Sequence, residues 1–100
     1  MKIIWQIEEG NRRWRDFPDL LQDYVEKQWQ DWRGNGKAGY DLVIEYSWPW
    51  KKGDITVTTP YQIVCEANGT IKQENKSTSF KRAVRRLVYT HPTEPAPSVD

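Results

Sequence analysis

The sequence predicts an α+β fold, in which a curved antiparallel sheet, a half-barrel of about six strands, wraps round one amphipathic helix. Only residues 18–33 place their apolar side chains at the spacing of a helix. Elsewhere apolar and polar residues alternate between turn-forming residues, which is typical of strands. A chain of 100 residues has enough core for one helix on one sheet. We expect one domain at residues 1–90 and a disordered tail at residues 91–100, which contain three prolines and no apolar pattern.

The first two strands are predicted to form a hairpin at the N-terminus. Ile3, Trp5 and Ile7 share one face of the first strand, a turn follows at residues 9–11, and residues 13–17 form the returning strand. Across this hairpin we expect Trp14 to pair with Trp5.

The helix is predicted to follow directly, at residues 18–33. Pro18 suits the first helical position, and Gly34 supplies the left-handed conformation that ends a helix. Gln28 lies in the middle of the apolar stripe, as a buried amide or as a contact at the floor of a pocket. The stripe that should pack on the sheet consists of Leu21, Tyr24, Val25, Trp29 and Trp32.

Two more strands should follow, separated by a loop. Residues 40–46 alternate as a third strand, and residues 48–54 are predicted to be a long polar and aromatic loop. On such a loop Trp48 and Trp50 would form an exposed knob for a protein partner. In residues 55–65 the apolar side chains stay at odd-numbered positions on both sides of Pro60. This pattern predicts one long edge strand that is bulged or bent at the proline.

The hairpin around Asn68 and Gly69 sets the register of the next strand. A two-residue turn there would place an apolar residue opposite a polar one. A three-residue turn with Gly69 as the bulge instead sets Ile63 opposite Gln73 and keeps one apolar face. Gln73 is therefore predicted to point inward.

The last hairpin brings three polar or aromatic residues together. If Ile71 lies opposite Val84, so that the apolar layer continues into the final strand, the same register sets Gln73 opposite Arg82. Tyr61, Gln73 and Arg82 then lie at one end of the inner face, beyond the apolar layer. An aromatic ring, an amide and a guanidinium at the mouth of a small curved sheet suit a planar, anionic ligand such as a nucleotide.

The composition argues against several classes of function. Lys and Arg total 15 and Asp and Glu total 14, so nucleic-acid binding is the weaker interpretation. No apolar run is long enough to span a membrane and no signal pattern occurs, so we expect an intracellular protein without membrane association. One cysteine, Cys65, and one histidine give no disulfide framework, and we expect no metal and no cofactor. No nucleophile with a base and no paired carboxylates are apparent, so we do not expect an enzyme.

The motif Gln73-x-Asn75-x-x-Thr78-x-x-x-Arg82 is the most specific part of the chain. Together with the helix and the two N-terminal tryptophans that precede it, this motif resembles the WWE domain over about residues 4–88. The resemblance implies a half-barrel round one helix. It also implies a place in ubiquitin ligases or ADP-ribosyltransferases, and binding of the iso-ADP-ribose unit of poly(ADP-ribose), or of a related nucleotide, in the mouth of the half-barrel.

Matching the family's pocket positions gives Tyr61, Gln73 and Arg82 as ligand-binding residues. The sequence departs from the family pattern at Ile7, where ligand-binding members often have an aromatic residue, and at Ser79, which replaces a usual glycine. It also departs at Gln22 of the helix, where the family has a glutamate, and in the inserted residues 48–54.

Three more residues are candidates for ligand contact: Trp14, Gln28 and Arg86. The leading interpretation is a non-catalytic module that binds ADP-ribose-type nucleotides, either free or on a poly(ADP-ribosyl)ated protein. The alternative is a protein-interaction domain that keeps the fold without the ligand. The basic residues of the last two strands are equally consistent with anion binding and with a solvated face; they are Lys72, Lys76, Lys81, Arg82, Arg85 and Arg86.

Overall fold

A computed structural model describes residues 2–34, 40–89 and 98–99. Six antiparallel strands form a curled half-barrel with one helix. The predicted α+β fold is thereby confirmed. The elements are β1 (Lys2–Gly10), β2 (Arg13–Asp16), α1 (Asp19–Gly34), β3 (Leu42–Lys52), β4 (Ile55–Cys65), β5 (Ile71–Asn75), β6 (Lys81–Tyr89) and a short β7 (Ser98–Val99) that pairs with β6. The order of the six strands across the sheet is β2-β1-β6-β5-β4-β3.

The core lies between α1 and the concave face of the sheet. The helix contributes Leu21, Val25, Trp29 and Trp32, as the sequence predicts. Tyr24 was expected on the same stripe, but it is 43% exposed. It lies at the margin of the helix face, where its hydroxyl donates to the Glu45 carbonyl oxygen at 3.4 Å. The sheet contributes Trp5, Ile7, Ile44, Ile63, Cys65, Ile71 and Val84.

The N-terminal hairpin has a different register from the one expected. Trp14 pairs with Glu8 and not with Trp5, so the predicted pair of tryptophans is wrong. A bulge between Glu8 and Gly10 shifts the register by one residue, and a one-residue shift moves a side chain to the other face. Trp14 therefore lies on the outer face, where the Arg85 guanidinium is 4.2 Å from its ring centroid.

The predicted loop at residues 48–54 is wrong, because β3 continues to Lys52 and pairs with β4 as far as Ile55. Pro49 is tolerated because β3 is an edge strand, where a missing N–H need not break a ladder. Only a tight turn at Gly53, with φ of 64°, separates β3 from β4.

β4 is the predicted single long strand, and its register with β3 is continuous through Pro60. The bulge expected at Pro60 is therefore absent from this pairing. The edge prediction holds for residues 55–59 alone, since β5 pairs with β4 from Tyr61 onward and the Lys76 amide donates to the Pro60 carbonyl oxygen at 3.0 Å. The first half of β4 and the second half of β3 thus form a two-stranded ribbon that extends beyond the sheet.

The registers predicted for the last two hairpins are confirmed. Ile63 pairs with Gln73, and Gln73 pairs with Arg82. Gly69 has φ of 99°, and the Glu66 amide donates to the Thr70 carbonyl oxygen across the turn at 2.8 Å.

The predicted disordered tail is described only at Ser98 and Val99, which pair with Val88 and Leu87 of β6. The other tail residues lie outside the described part of the chain. Within residues 2–34, 40–89 and 98–99, no helix is long and apolar enough to cross a membrane.

Candidate functional site

One end of the half-barrel opens into a cavity of about 1250 Å³, which we call the mouth cavity. Its walls come from the first hairpin and the start of α1 on one side, the β3–β4 ribbon on the other, and the β5–β6 turn at the rim. The lining residues are Ile7, Glu9, Arg15, Asp16, Phe17, Pro18, Leu21, Tyr46, Trp48, Trp50, Tyr61, Gln73, Asn75, Thr78, Ser79, Phe80 and Arg82.

The three residues predicted from strand register all line the mouth cavity. Tyr61 comes from β4, Gln73 from β5 and Arg82 from β6. Gln73 pairs with Arg82 across two neighbouring strands, and Tyr61 is one inward step along β4 from Ile63, the partner of Gln73. The structure therefore brings together the aromatic ring, the amide and the guanidinium.

Tyr46 of β3 completes this group, and it was not among the site residues predicted from the sequence. Its ring stacks on Tyr61 with the centroids 5.5 Å apart, and its hydroxyl accepts a hydrogen bond from the Gln73 side-chain amide. Burial raises the pKa of the Tyr46 hydroxyl to about 12, so the phenol stays protonated at neutral pH. A signal was available in the sequence, because Tyr46 is two residues beyond Ile44 and therefore on the same inward face of β3.

Gln73 offers hydrogen-bonding capacity to the cavity although the residue is only 9% exposed. Its amide nitrogen donates to Tyr46, whereas its side-chain oxygen has no partner among the described residues. No buried side-chain nitrogen or oxygen lacks a partner in the described part of the chain, so this oxygen must be reachable from the cavity. Gln73 and Tyr46 together can present an acceptor and a hydroxyl proton side by side.

Arg82 is the cation of the site. Its guanidinium donates to the Glu8 carbonyl oxygen at 3.3 Å and lies 4.9 Å from the centroid of the Phe80 ring. Among the described residues no carboxylate pairs with it, and its side chain is exposed. Because a guanidinium carries five N–H donors, most of its hydrogen-bonding capacity is available to an anion.

The other basic side chains of β5 and β6 are engaged elsewhere. Lys72 pairs with Glu66 at 3.0 Å, Lys76 pairs with Glu45 at 3.3 Å, and Lys81 is 4.0 Å from Glu74. These pairs support the solvated-face interpretation for the lysines. Arg85, on the outer face, donates to the Gln6 side-chain oxygen at 2.8 Å and covers Trp14.

Trp14, Gln28 and Arg86, the three additional candidates, do not line the mouth cavity. Trp14 is on the outer face of the first hairpin, and Gln28 is a half-buried residue of α1. Arg86 is 4% exposed and belongs to the closed part of the half-barrel. Ligand contact at these three residues stays a prediction, and it would have to occur outside the mouth cavity.

Arg86 is held by two residues of α1. Its guanidinium donates twice to the Glu26 carboxylate, at 2.9 Å each, and lies 3.8 Å from the Trp29 ring centroid. The Trp5 indole N–H donates to the same carboxylate at 2.8 Å. Nearby, the Gln22 side chain forms three hydrogen bonds of 2.8 to 2.9 Å with the backbone of Trp5 and Phe17. This polar network fastens α1 to β1 and β6.

Trp48 and Trp50 line the mouth cavity from a strand and not from the predicted loop, and the protein contact expected through them stays a prediction. They follow Tyr46 on the inward face of β3, because residues two apart in a strand share a face. Trp48 packs partly against the core. Trp50 is 44% exposed, and its indole N–H donates to the Thr59 hydroxyl at 2.7 Å.

The rim of the cavity is shaped by the turn between β5 and β6. The Asn75 side-chain oxygen accepts from the backbone N–H groups of Ser77 and Thr78, at 2.9 and 3.3 Å. Ser79 has a positive φ of 63°, a conformation that favours glycine. Asn75 thus has a structural role, since its side chain builds the turn that places Thr78 and Phe80 at the rim.

The opposite rim carries one positive and two negative side chains, Arg15, Glu9 and Asp16. Arg15 pairs with Glu9 at 2.8 Å, and Asp16 accepts from the Gln6 side-chain amide at 2.6 Å. The attraction for an anion in this cavity therefore comes mainly from Arg82.

Cys65 is a core residue. It is 1% exposed, and burial raises the pKa of its thiol to about 12, so it remains protonated and unreactive at neutral pH. Within the described ranges, no three His, Cys, Asp or Glu residues are grouped so that they could hold a metal ion.

Comparisons with protein-family models, curated proteins and solved structures gave no match for this chain.

Proposed function

We propose that this protein is a non-catalytic binding module for ADP-ribose-type nucleotides: free ADP-ribose, the iso-ADP-ribose unit of poly(ADP-ribose), or ATP. The observation that carries the proposal is the convergence of Tyr61, Gln73 and Arg82 in one open cavity. The sequence motif that resembles the WWE domain contains two of these residues and gives the same expectation.

Each group of the cavity matches a part of such a ligand. The stacked rings of Tyr46 and Tyr61 suit a base or the apolar face of a ribose. The accessible Gln73 oxygen and the Tyr46 hydroxyl suit an amine or hydroxyl group of the ligand. The Arg82 guanidinium, which lacks a carboxylate partner in the described structure, suits a diphosphate.

The biological setting follows from the resemblance. A module of this kind would act in ubiquitination or ADP-ribosylation signalling inside the cell, where it would recognise poly(ADP-ribosyl)ated proteins. The protein itself then needs neither a catalytic residue nor a cofactor.

Calorimetric titration of ADP-ribose, iso-ADP-ribose and ATP into the wild type, Arg82→Ala and Gln73→Ala tests the proposal. Arg82→Ala should weaken binding by at least about tenfold, because a hydrogen bond to a charged group is worth roughly 1.5 to 3 kcal/mol. Gln73→Ala removes a neutral hydrogen bond of ~1 kcal/mol, so its loss of affinity should be smaller.

Arg85→Ala is the matched control, since it removes one positive charge from the same strand on the outer face. It should change affinity by less than about twofold, and amide NMR spectra establish that every variant is folded. If the wild type binds none of the three nucleotides at millimolar concentration, the proposal is wrong. If Arg85→Ala weakens binding as much as Arg82→Ala, nucleotides bind outside the mouth cavity.

We propose protein interaction as the second candidate, because the β3–β4 ribbon extends beyond the sheet and has an edge at residues 55–59 that β5 does not pair with. Ile55, at the tip of this ribbon, is 68% exposed. Absence of nucleotide binding, together with loss of a protein partner on Ile55→Asp, would favour this candidate.

A further inference from the structure

The mouth cavity is larger than one nucleotide unit requires. Small-molecule sites generally measure about 300–1,000 Å³, whereas this cavity measures about 1250 Å³ in a chain of 100 residues. Tyr46, Tyr61 and Gln73 line the cavity together with the exposed Arg82. Farther along β3 the lining continues with Trp48 and Trp50 of the β3–β4 ribbon, which we call the tryptophan wing.

Strand geometry separates the tryptophan wing from the tyrosine pair. Trp48 and Trp50 lie two and four residues beyond Tyr46 on an uninterrupted strand. At about 3.4 Å per residue, the two tryptophans are about 7 and 14 Å from Tyr46 along β3. A single ring bound against Tyr46 and Tyr61 therefore cannot also cover Trp50.

The Trp50 side chain is fixed in place and offers a ring face. Its indole N–H is already used by the Thr59 hydroxyl, so the group left for a ligand is the apolar π-surface. Its neighbour Trp48 is held by packing against the core. The Trp50 residue is 44% exposed inside the cavity, so a flat ligand group that stacks on its ring removes apolar surface from water and binds favourably.

We infer that the tryptophan wing is a second subsite, which binds a second ring unit joined through a diphosphate to the nucleoside near Tyr46 and Tyr61. Arg82 supplies the charge for the diphosphate, and no other described cationic residue lining this cavity is free of a carboxylate partner. The ligand class is then a nucleoside diphosphate that carries a second ring. This inference rests on the proposed function and specifies its ligand.

The test compares ADP, ADP-ribose and NAD⁺, which share the adenosine diphosphate part and differ in the second ring unit. ADP has the most negative diphosphate, so attraction to Arg82 alone would favour ADP. We expect ADP-ribose and NAD⁺ to bind the wild type more tightly than ADP. Trp50→Ala should lower their affinity by roughly tenfold and change that of ADP by less than about twofold.

Two variants serve as controls for the effect of Trp50→Ala. Trp50→Phe keeps an aromatic face without the indole N–H and should retain most of the affinity for the two-ring ligands. Ile55→Ala removes an exposed apolar side chain from the same ribbon but outside the cavity lining, and should leave all three affinities unchanged.

The outcomes separate this inference from the proposed function. If ADP binds and Trp50→Ala weakens all three ligands equally, or none of them, the second subsite is wrong and the nucleotide site stands. If none of the three compounds binds the wild type at millimolar concentration, the proposed function fails and the second subsite fails with it.

Discussion

Arg82 and Arg86 lie on the same strand and the same face, yet the protein uses them in opposite ways. Four residues separate them, which is about 14 Å along β6. Arg86 is 4% exposed, donates twice to Glu26 and lies over the Trp29 ring. Arg82 is exposed, and its polar contact in the described structure is one hydrogen bond of 3.3 Å to a backbone carbonyl.

The difference is caused by the helix. α1 crosses the half-barrel at the level of Arg86 and supplies both its carboxylate and its aromatic partner. At the level of Arg82 the concave face is open, and the mouth cavity takes the place of the helix. An inward-facing arginine in this fold thus stabilises the structure where a helix covers it and is available to a ligand where none does.

The largest expected difference between Arg86 and Arg82 is in how much each contributes to the stability of the fold. Arg86→Met should lower the free energy of unfolding by about 3 kcal/mol, because it leaves the half-buried Glu26 carboxylate without its ion pair. Arg82→Met should lower it by less than about 0.5 kcal/mol, since the side chain is exposed. Urea denaturation followed by tryptophan fluorescence measures both values.

Equal losses of stability in the two variants would contradict the division of roles between Arg82 and Arg86. A double-mutant cycle with Glu26→Gln serves as the control for Arg86→Met. The cycle should show coupling between positions 26 and 86 and none between positions 26 and 82.

A smaller effect should appear in the dependence of stability on pH. Burial alone would raise the pKa of Glu26, but hydrogen bonds from Arg86, Gln30 and Trp5 outweigh it and hold that pKa below its ordinary value of 4.5. The unfolded chain therefore binds this proton more tightly than the folded protein does. The stabilisation is complete above about pH 4.5 and is lost as the pH falls through the lower pKa of the folded state.

The measurement is the free energy of unfolding between pH 3 and pH 7 for the wild type and Glu26→Gln. The variant should be less stable at pH 7 and should lose less stability on acidification. Glu45→Gln, which removes an exposed ion pair with Lys76, should follow the wild-type curve. Parallel curves for the wild type and Glu26→Gln would mean that the bonds of Glu26 with Arg86 and Trp5 do not favour its charged form.

The smallest effect concerns the rim of the open end. Ser79 has φ of 63°, which costs a residue with a side chain roughly 1 kcal/mol relative to glycine. Ser79→Gly relieves that cost and increases the entropy of the unfolded chain, so a net stabilisation of about 0.5 kcal/mol is expected. Thermal denaturation measures the change.

The reverse substitution, from glycine to serine, can be made at Gly53, because this residue has nearly the same φ, 64°, at the tip of the β3–β4 ribbon. Gly53→Ser should destabilise the protein by an amount similar to the gain at position 79. Destabilisation by Ser79→Gly would show instead that the serine side chain contributes to the turn more than its backbone strain costs.

The registers that build the candidate site could be predicted because they depend on short-range rules. The length of the Gly69 turn and strict alternation along each strand fix which residue lies opposite Gln73, and a wrong choice would set apolar residues against polar ones. The same alternation places Tyr46, Trp48 and Trp50 on one face of β3. This was not predicted, because Pro49 favoured a loop and the third strand was expected to end at residue 46. Proline predicts a break only where the strand needs its N–H, and an edge strand such as β3 does not.

Periodicity and turn chemistry were enough to predict the fold class, the apolar stripe of α1 and the convergence of Tyr61, Gln73 and Arg82. Tertiary packing was needed to show that Trp14 is on the outer face, that Trp50 lines the mouth cavity, and that Arg86 belongs to the helix network while Arg82 does not. The physical reason is that periodicity specifies the face of an element on which a side chain lies. What covers that face depends on where the helix crosses the sheet, and this follows from packing between segments that are distant in the chain.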